Sequence, residues 1–164
     1  MPNTYTQLYV HVVFAVRGRA NLISNLFKER LYQYITGIIS SKNQKLMIIN
    51  GMPDHIHILM GPKPDCNLSA LIRDIKANSS KWVNENRFTN QKFEWQTGFS
   101  AFSVSQSRID GIVNYILRQE QHHQDKSFTQ ECVENLNEYK VAFDPNFLMK
   151  DFGDILAAEN ELVA

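Results

Sequence analysis

Two histidines and a tyrosine carry most of the chemistry that can be read from this 164-residue chain. His55 and His57 flank Ile56 in the run Pro53-Asp54-His55-Ile56-His57-Ile58-Leu59. Apolar neighbours without a helical period predict a short strand. Strand side chains alternate between faces, so both imidazoles project from the same one. Such a pair offers two ligands to one divalent metal, or two donors to one phosphate. It fits equally well two ordinary histidines on the wet face of a half-buried strand. Further along, Ile109, Ile112, Val113, Ile116 and Leu117 define the apolar stripe of a helix. At about 100° per residue, Tyr115 falls roughly 120° from Ile109, beyond the edge of that stripe. Gln119 lies one turn later on the same flank, with His122 a further turn on and Arg108 before them. Alone, such a tyrosine reads as a surface residue without chemistry. Beside a metal, a phenol can attack phosphorus and form a covalent ester. Two histidines and a glutamine carbonyl would supply three ligands for that cation.

The elements that must position these groups follow from hydrophobic period. Residues 5–16 read as a strand ended by the turn Arg17-Gly18-Arg19, and 24–41 as a helix. Segments 46–50 and 55–60 are short apolar strands whose connection holds Gly51 and Pro53, which predicts a hairpin. A second helix is expected over 67–86, with Leu68, Leu71, Ile72, Ile75, Ser79, Trp82 and Val83 on one stripe. Arg73, Lys76 and Ser80 share a flank outside it. Residues 93–104 read as one or two strands broken at Gly98, and 105–123 as a third helix. A fourth opens where Ser127 and Gln130 fit a capping box. Past Tyr139 the chain is irregular until a short helix near Ile155. This order predicts an α+β fold: a ferredoxin-like antiparallel sheet with helices packed on one face. Residues 1–140 are expected to form a single domain and 141–164 an acidic C-terminal tail.

Composition is that of an ordinary globular protein, with 43% hydrophobic and 21% charged residues. The net charge of zero hides a division: residues 1–126 carry 15 Lys and Arg against 9 Asp and Glu, and residues 127–164 carry 2 against 8. A basic body suits a polyanion partner, although solvated faces that merely differ in sign would give the same count. Cys66 and Cys132 form no Cys-x-x-Cys pair and read as idle thiols. The apolar stretch 8–16 is too short to span a bilayer and carries His11, and no positive leader precedes it. The expectation is a cytoplasmic protein with no membrane partner.

The residues resemble the single-tyrosine HUH transposases of small bacterial insertion sequences, with proteins associated with repetitive extragenic palindromes as relatives. His55-Ile56-His57 matches the His-hydrophobic-His signature, and Tyr115 with Gln119 matches the tyrosine and the metal-binding glutamine four residues apart. The opening His11-Val12-Val13-Phe14, Ser79-Ser80-Lys81-Trp82, the run from Trp95 to Ser105, and His122-His123 extend the likeness over roughly residues 3–150. The resemblance implies a homodimeric DNA transposase that binds single-stranded DNA hairpins at element ends. It implies Tyr115 as the nucleophile that retains a 5′ phosphate, and His55, His57 and Gln119 as ligands to Mg²⁺ or Mn²⁺.

Three readings divide on these residues. A strand transferase needs Tyr115, His55, His57 and Gln119. A domesticated protein that binds hairpins without cutting would keep the basic surface of Arg17, Arg19, Arg73 and Lys76 as its DNA-binding groups and have no need of Tyr115. A hydrolase using metal-bound water would call for more carboxylates near the histidines, where the sequence places only Asp54. The intact Tyr-x-x-x-Gln favours the first.

Overall fold

Alternation along the two central strands divides the sheet into two unlike faces. The computed structural model describes residues 3–122 and 127–144; the expected helix near Ile155, His123 and most of the acidic tail lie outside them. The strands are β1 (Val10–Ala15), β2 (Lys45–Met52), β3 (His55–Gly61) and β4 (Ser100–Ser103). The helices are α1 (Lys28–Ser41), α2 (Leu68–Glu85), α3 (Ile109–Leu117), α4 (Gln119–His122) and α5 (Phe128–Glu138). All strand neighbours are antiparallel in the order β2-β3-β1-β4, the ferredoxin-like arrangement expected.

Val12 and Phe14 of β1 and Ile56, Ile58 and Met60 of β3 turn to one face. There they pack with Leu31, Ile35 and Ile39 of α1 and Leu71, Ile72, Ile75 and Val83 of α2. Asn67 starts α2 by accepting from the Ala70 N–H at 3.1 Å, which satisfies one of the open donors of the first turn. These two helices form the single helical layer that was expected. The opposite face carries helices as well. Leu59 packs with Ile109 and Ile116 of α3, Val13 and Ala15 pack with Phe128, and Phe102 packs with Cys132 and Leu136. Helices α3 and α5 each carry an apolar stripe that the first layer has no room to bury, and the second face takes both.

The continuous third helix expected over 105–123 is divided. Residues 106–108 form a 3₁₀ turn, α3 follows, and Arg118 (φ −98°, ψ 26°) separates it from α4. The break has a partner in β2. Asn50 Nδ2 donates to the Ile116 carbonyl at 2.9 Å and lies 3.4 Å from that of Leu117, groups left open where a helix ends. Cys66 and Cys132 are free thiols. Among the described residues no helix is long and apolar enough to cross a membrane.

The β2–β3 hairpin leaves no space at Gly51, where an added Cβ would run into the His55 carbonyl and approach Ile56 Cα to 2.8 Å. Gly51→Ala should cost about 1–3 kcal/mol by overpacking, read as a lower urea midpoint. An unchanged midpoint would show that the hairpin yields without strain.

Candidate metal centre and nucleophile

The strand period delivers the histidines as expected. His55 pairs in register with Ala15 and His57 with Val13, all on the face covered by α3, α4 and α5. Both imidazoles are fully buried, so the reading of two histidines on a wet strand face does not hold. The break before α4 turns Gln119 inward, where its side chain is also fully buried. His55 Nε2 lies 3.3 Å from Gln119 Oε1 and 3.8 Å from Glu131 Oε1, and His57 Nε2 lies 2.8 Å from the same Glu131 oxygen. His55, His57 and Glu131 form a buried group able to hold a metal ion.

Glu131 was not found from sequence. It stands in the first turn of α5, whose start was legible from the capping box that Ser127 and Gln130 do form. The available signal was its position beside Phe128 and Cys132 on the apolar stripe of α5, where an acid is out of place unless it has a partner.

The surrounding groups decide which ring nitrogens face inward. His55 Nδ1 lies 2.6 Å from Asp54 Oδ1. Burial pushes the Asp54 carboxyl up, but its bond to His55, the charge of His55 and Arg19 outweigh that and hold it at about 2. An ionised carboxylate only accepts, so His55 Nδ1–H donates to it, and Nε2 is the nitrogen that faces Gln119 and Glu131. His11, interior on β1, places Nε2 2.8 Å from His57 Nδ1, with the two rings stacked at 5.1 Å. Two imidazole nitrogens, an amide oxygen and a carboxylate oxygen thus gather around one small volume. This mixed nitrogen and oxygen set fits a divalent cation such as Mn²⁺.

Tyr115 stands half-buried beside this group. Its ring lies edge-on to His57 at 5.7 Å and to His11 at 6.2 Å, and its hydroxyl engages Glu131, Gln119 and Asn135. Burial, the Glu131 charge and the bond to Glu131 push the phenol well above its ordinary value. A cleft of about 450 Å³, lined by His11, Arg108, Ile112, Tyr115, Asn135 and Tyr139, opens beside it.

The four basic residues singled out in sequence fare differently. Arg17 is exposed and pairs with Glu94 at 2.8 Å. Arg73 is exposed on α2, 3.8 Å from Asp74. Arg19 turns inward, its side chain only 7% exposed, and binds Asp54. Lys76 is half-buried, donates to the Gln96 carbonyl at 2.9 Å and to that of Gly98, and lies over the Phe14 ring. Burial lowers its ammonium to about 8. Arg17 and Arg73 therefore face solvent, whereas Arg19 and Lys76 hold parts of the chain together.

A family model described as "Transposase IS200 like" matches residues 4–119. Two solved structures share the fold. A candidate transposase from Deinococcus radiodurans R1 is 20% identical with a TM-score of 0.59, covering 71% of this chain and 94% of that one. A REP-associated tyrosine transposase bound to a REP hairpin is 17% identical with a TM-score of 0.58, covering 91% of this chain and 94% of that one. No curated protein matches the chain by sequence.

Burial first, then the neighbouring His57, lower His11 from 6.5 to about 3, so the folded protein keeps this ring neutral where the unfolded chain protonates it. The unfolded state then binds more protons below the unperturbed value, and stability falls as pH drops from 6.5 towards 3. His11→Asn, which keeps a polar group against His57, should flatten that slope in metal-free urea unfolding followed across pH. An equal slope in the variant would place the acid sensitivity elsewhere.

Proposed function

The chain belongs to the IS200-like transposase family, and we propose that it cuts and rejoins single-stranded DNA at hairpin-marked ends, with Tyr115 as nucleophile. The observation that carries this reading is that the Tyr115 hydroxyl engages Glu131 and Gln119, which also surround His55 Nε2. Nucleophile and cation donors therefore share one recess beside an open cleft. As the Tyr115 oxygen attacks phosphorus, its proton passes to the Glu131 carboxylate, which is within hydrogen-bond reach. The bond from phosphorus to the 3′ oxygen breaks, that oxygen takes up a proton so that the strand leaves with a 3′ hydroxyl, and the 5′ phosphate stays on Tyr115. Attack by a 3′ hydroxyl on this phosphotyrosine rejoins a strand and frees the phenol. One phosphodiester is exchanged for another, so no nucleotide cofactor is required.

A divalent cation held by His55, His57, Gln119 and Glu131 would draw charge from the phosphate oxygens. Two imidazoles favour Mn²⁺ over Mg²⁺ in such a set. His57 would turn Nε2 to the cation and donate Nδ1–H to His11, which fixes its ring.

The hairpin held by the REP-associated neighbour supports a folded DNA strand as the substrate. Arg17 and Arg73 are the exposed cations of the proposed phosphate surface, and Arg73 borders a groove of about 490 Å³ between α2 and residues 94–99. A homodimer enters this proposal through the family resemblance alone, since one chain already places Tyr115 beside its own His57.

Tyr115→Phe should abolish the covalent protein–DNA adduct on a denaturing gel while hairpin binding stays within a few-fold, because backbone phosphates and bases supply the affinity. An adduct that persists in the variant would remove Tyr115 as nucleophile. Arg73→Ala should lower the slope of log affinity against log salt by roughly 0.7–0.9, the value of one phosphate contact. An unchanged slope would remove α2 from the DNA surface.

A further inference from the structure

Arg19 lies outside the donor set yet touches both elements that build it. Its Nε and Nη2 donate to Asp54 Oδ2 at 3.0 and 2.7 Å, while the other oxygen of that carboxylate holds His55 at 2.6 Å. Its Nη1 donates to Thr129 Oγ1 at 3.1 Å, and its guanidinium carbon stands 4.2 Å from the centre of the Phe128 ring. Phe128 and Thr129 open α5, Phe128 packs against the His55 ring at 4.5 Å, and Glu131 follows in the same turn. One side chain therefore spans from the strand end that carries His55 to the helix that carries Glu131.

The backbone is shaped for this reach. Gly18 and Arg19 both hold positive φ, 63° and 59°, and a non-glycine residue rarely adopts that conformation. The turn is tied to the histidine strand through Val16, whose N–H bonds the Asp54 carbonyl at 2.8 Å and whose carbonyl accepts from the Arg19 N–H at 2.9 Å.

We infer that Arg19 is a positioning residue for the cation site, joining β3 to α5 so that His55 and Glu131 present their donor atoms to one ion. The inference rests on the metal reading proposed above. It makes docking of α5 and binding of the ion a single linked equilibrium, so each must strengthen the other. Only the planar fork of arginine can reach Asp54 and Thr129 together; a lysine keeps the charge and loses one partner.

Calorimetric titration with MnCl₂ and hydrogen exchange of the α5 amides, on the wild type, Arg19→Lys and Thr129→Val, test this. In Arg19→Lys the Mn²⁺ dissociation constant should rise roughly 10- to 100-fold, as for other groups that orient metal ligands, with a smaller rise in Thr129→Val. Mn²⁺ should slow exchange in α5 of the wild type and do so far less in Arg19→Lys, a difference that loss of packing alone does not produce. If Arg19→Lys fails to fold, Thr129→Val carries the test, since it removes one bond and keeps the side-chain shape. Wild-type binding with unchanged affinity and unchanged α5 response in the variants would overturn the inference alone. A wild type that takes up no Mn²⁺ would overturn the metal reading and this inference with it.

Discussion

Burying two imidazoles, a carboxamide and a carboxylate against one another is the constraint around which the second face of the sheet is organised. Polar groups taken out of water cost several kcal/mol apiece, in round numbers about 2–7, unless each finds a partner. Here the partners come from several neighbouring segments of the chain. Asp54 holds one imidazole and His11 the other, Asn50 secures the helix end that turns Gln119 inward, and the capped start of α5 brings Glu131. The opposite face, filled by Val, Ile, Leu and Phe, is the rigid platform that makes this assembly possible. An apolar layer alone would hold the sheet; the polar layer fixes where its side chains point.

The same burial governs the reactivity of Tyr115. Its phenol is held in the protonated form by low polarity and by a facing carboxylate. In the proposed reaction that carboxylate also accepts the proton as the oxygen attacks. Glu131 therefore ties the Tyr115 hydroxyl to the buried histidine pair, which explains why an acid sits on the buried stripe of a short helix. In the proposed reaction the open cleft beside Tyr115 is where a strand of DNA approaches, and the polar groups behind it are buried.

Much of this was legible because it depends on short-range periodicity. A strand alternates with period two, so the spacing of His55 and His57 determined their shared face. The helix pitch put Tyr115 and Gln119 on one flank of a continuous helix; the two side chains do meet, although Arg118 divides α3 from α4 between them. The break at Arg118 was not legible, because its partner Asn50 lies in β2 and no local propensity records that contact. Glu131 was hidden for a related reason: its role depends on α5 folding back across the sheet, a tertiary event rather than a spacing. Arg19 looked like a turn residue offering its charge to solvent. A left-handed backbone and a carboxylate from another strand turn it inward, and neither can be read from Arg17-Gly18-Arg19 alone. The second helical layer follows from two apolar stripes whose partners the sequence order did not specify.

Pulsed EPR of the protein loaded with one equivalent of Mn²⁺ asks most directly whether these donors form one centre. The geometry predicts coupling of the ion to two imidazole nitrogens, with one coupling lost in His55→Ala and one in His57→Ala. A spectrum of fully hydrated Mn²⁺ without nitrogen coupling in the wild type would contradict a metal centre at the histidine pair.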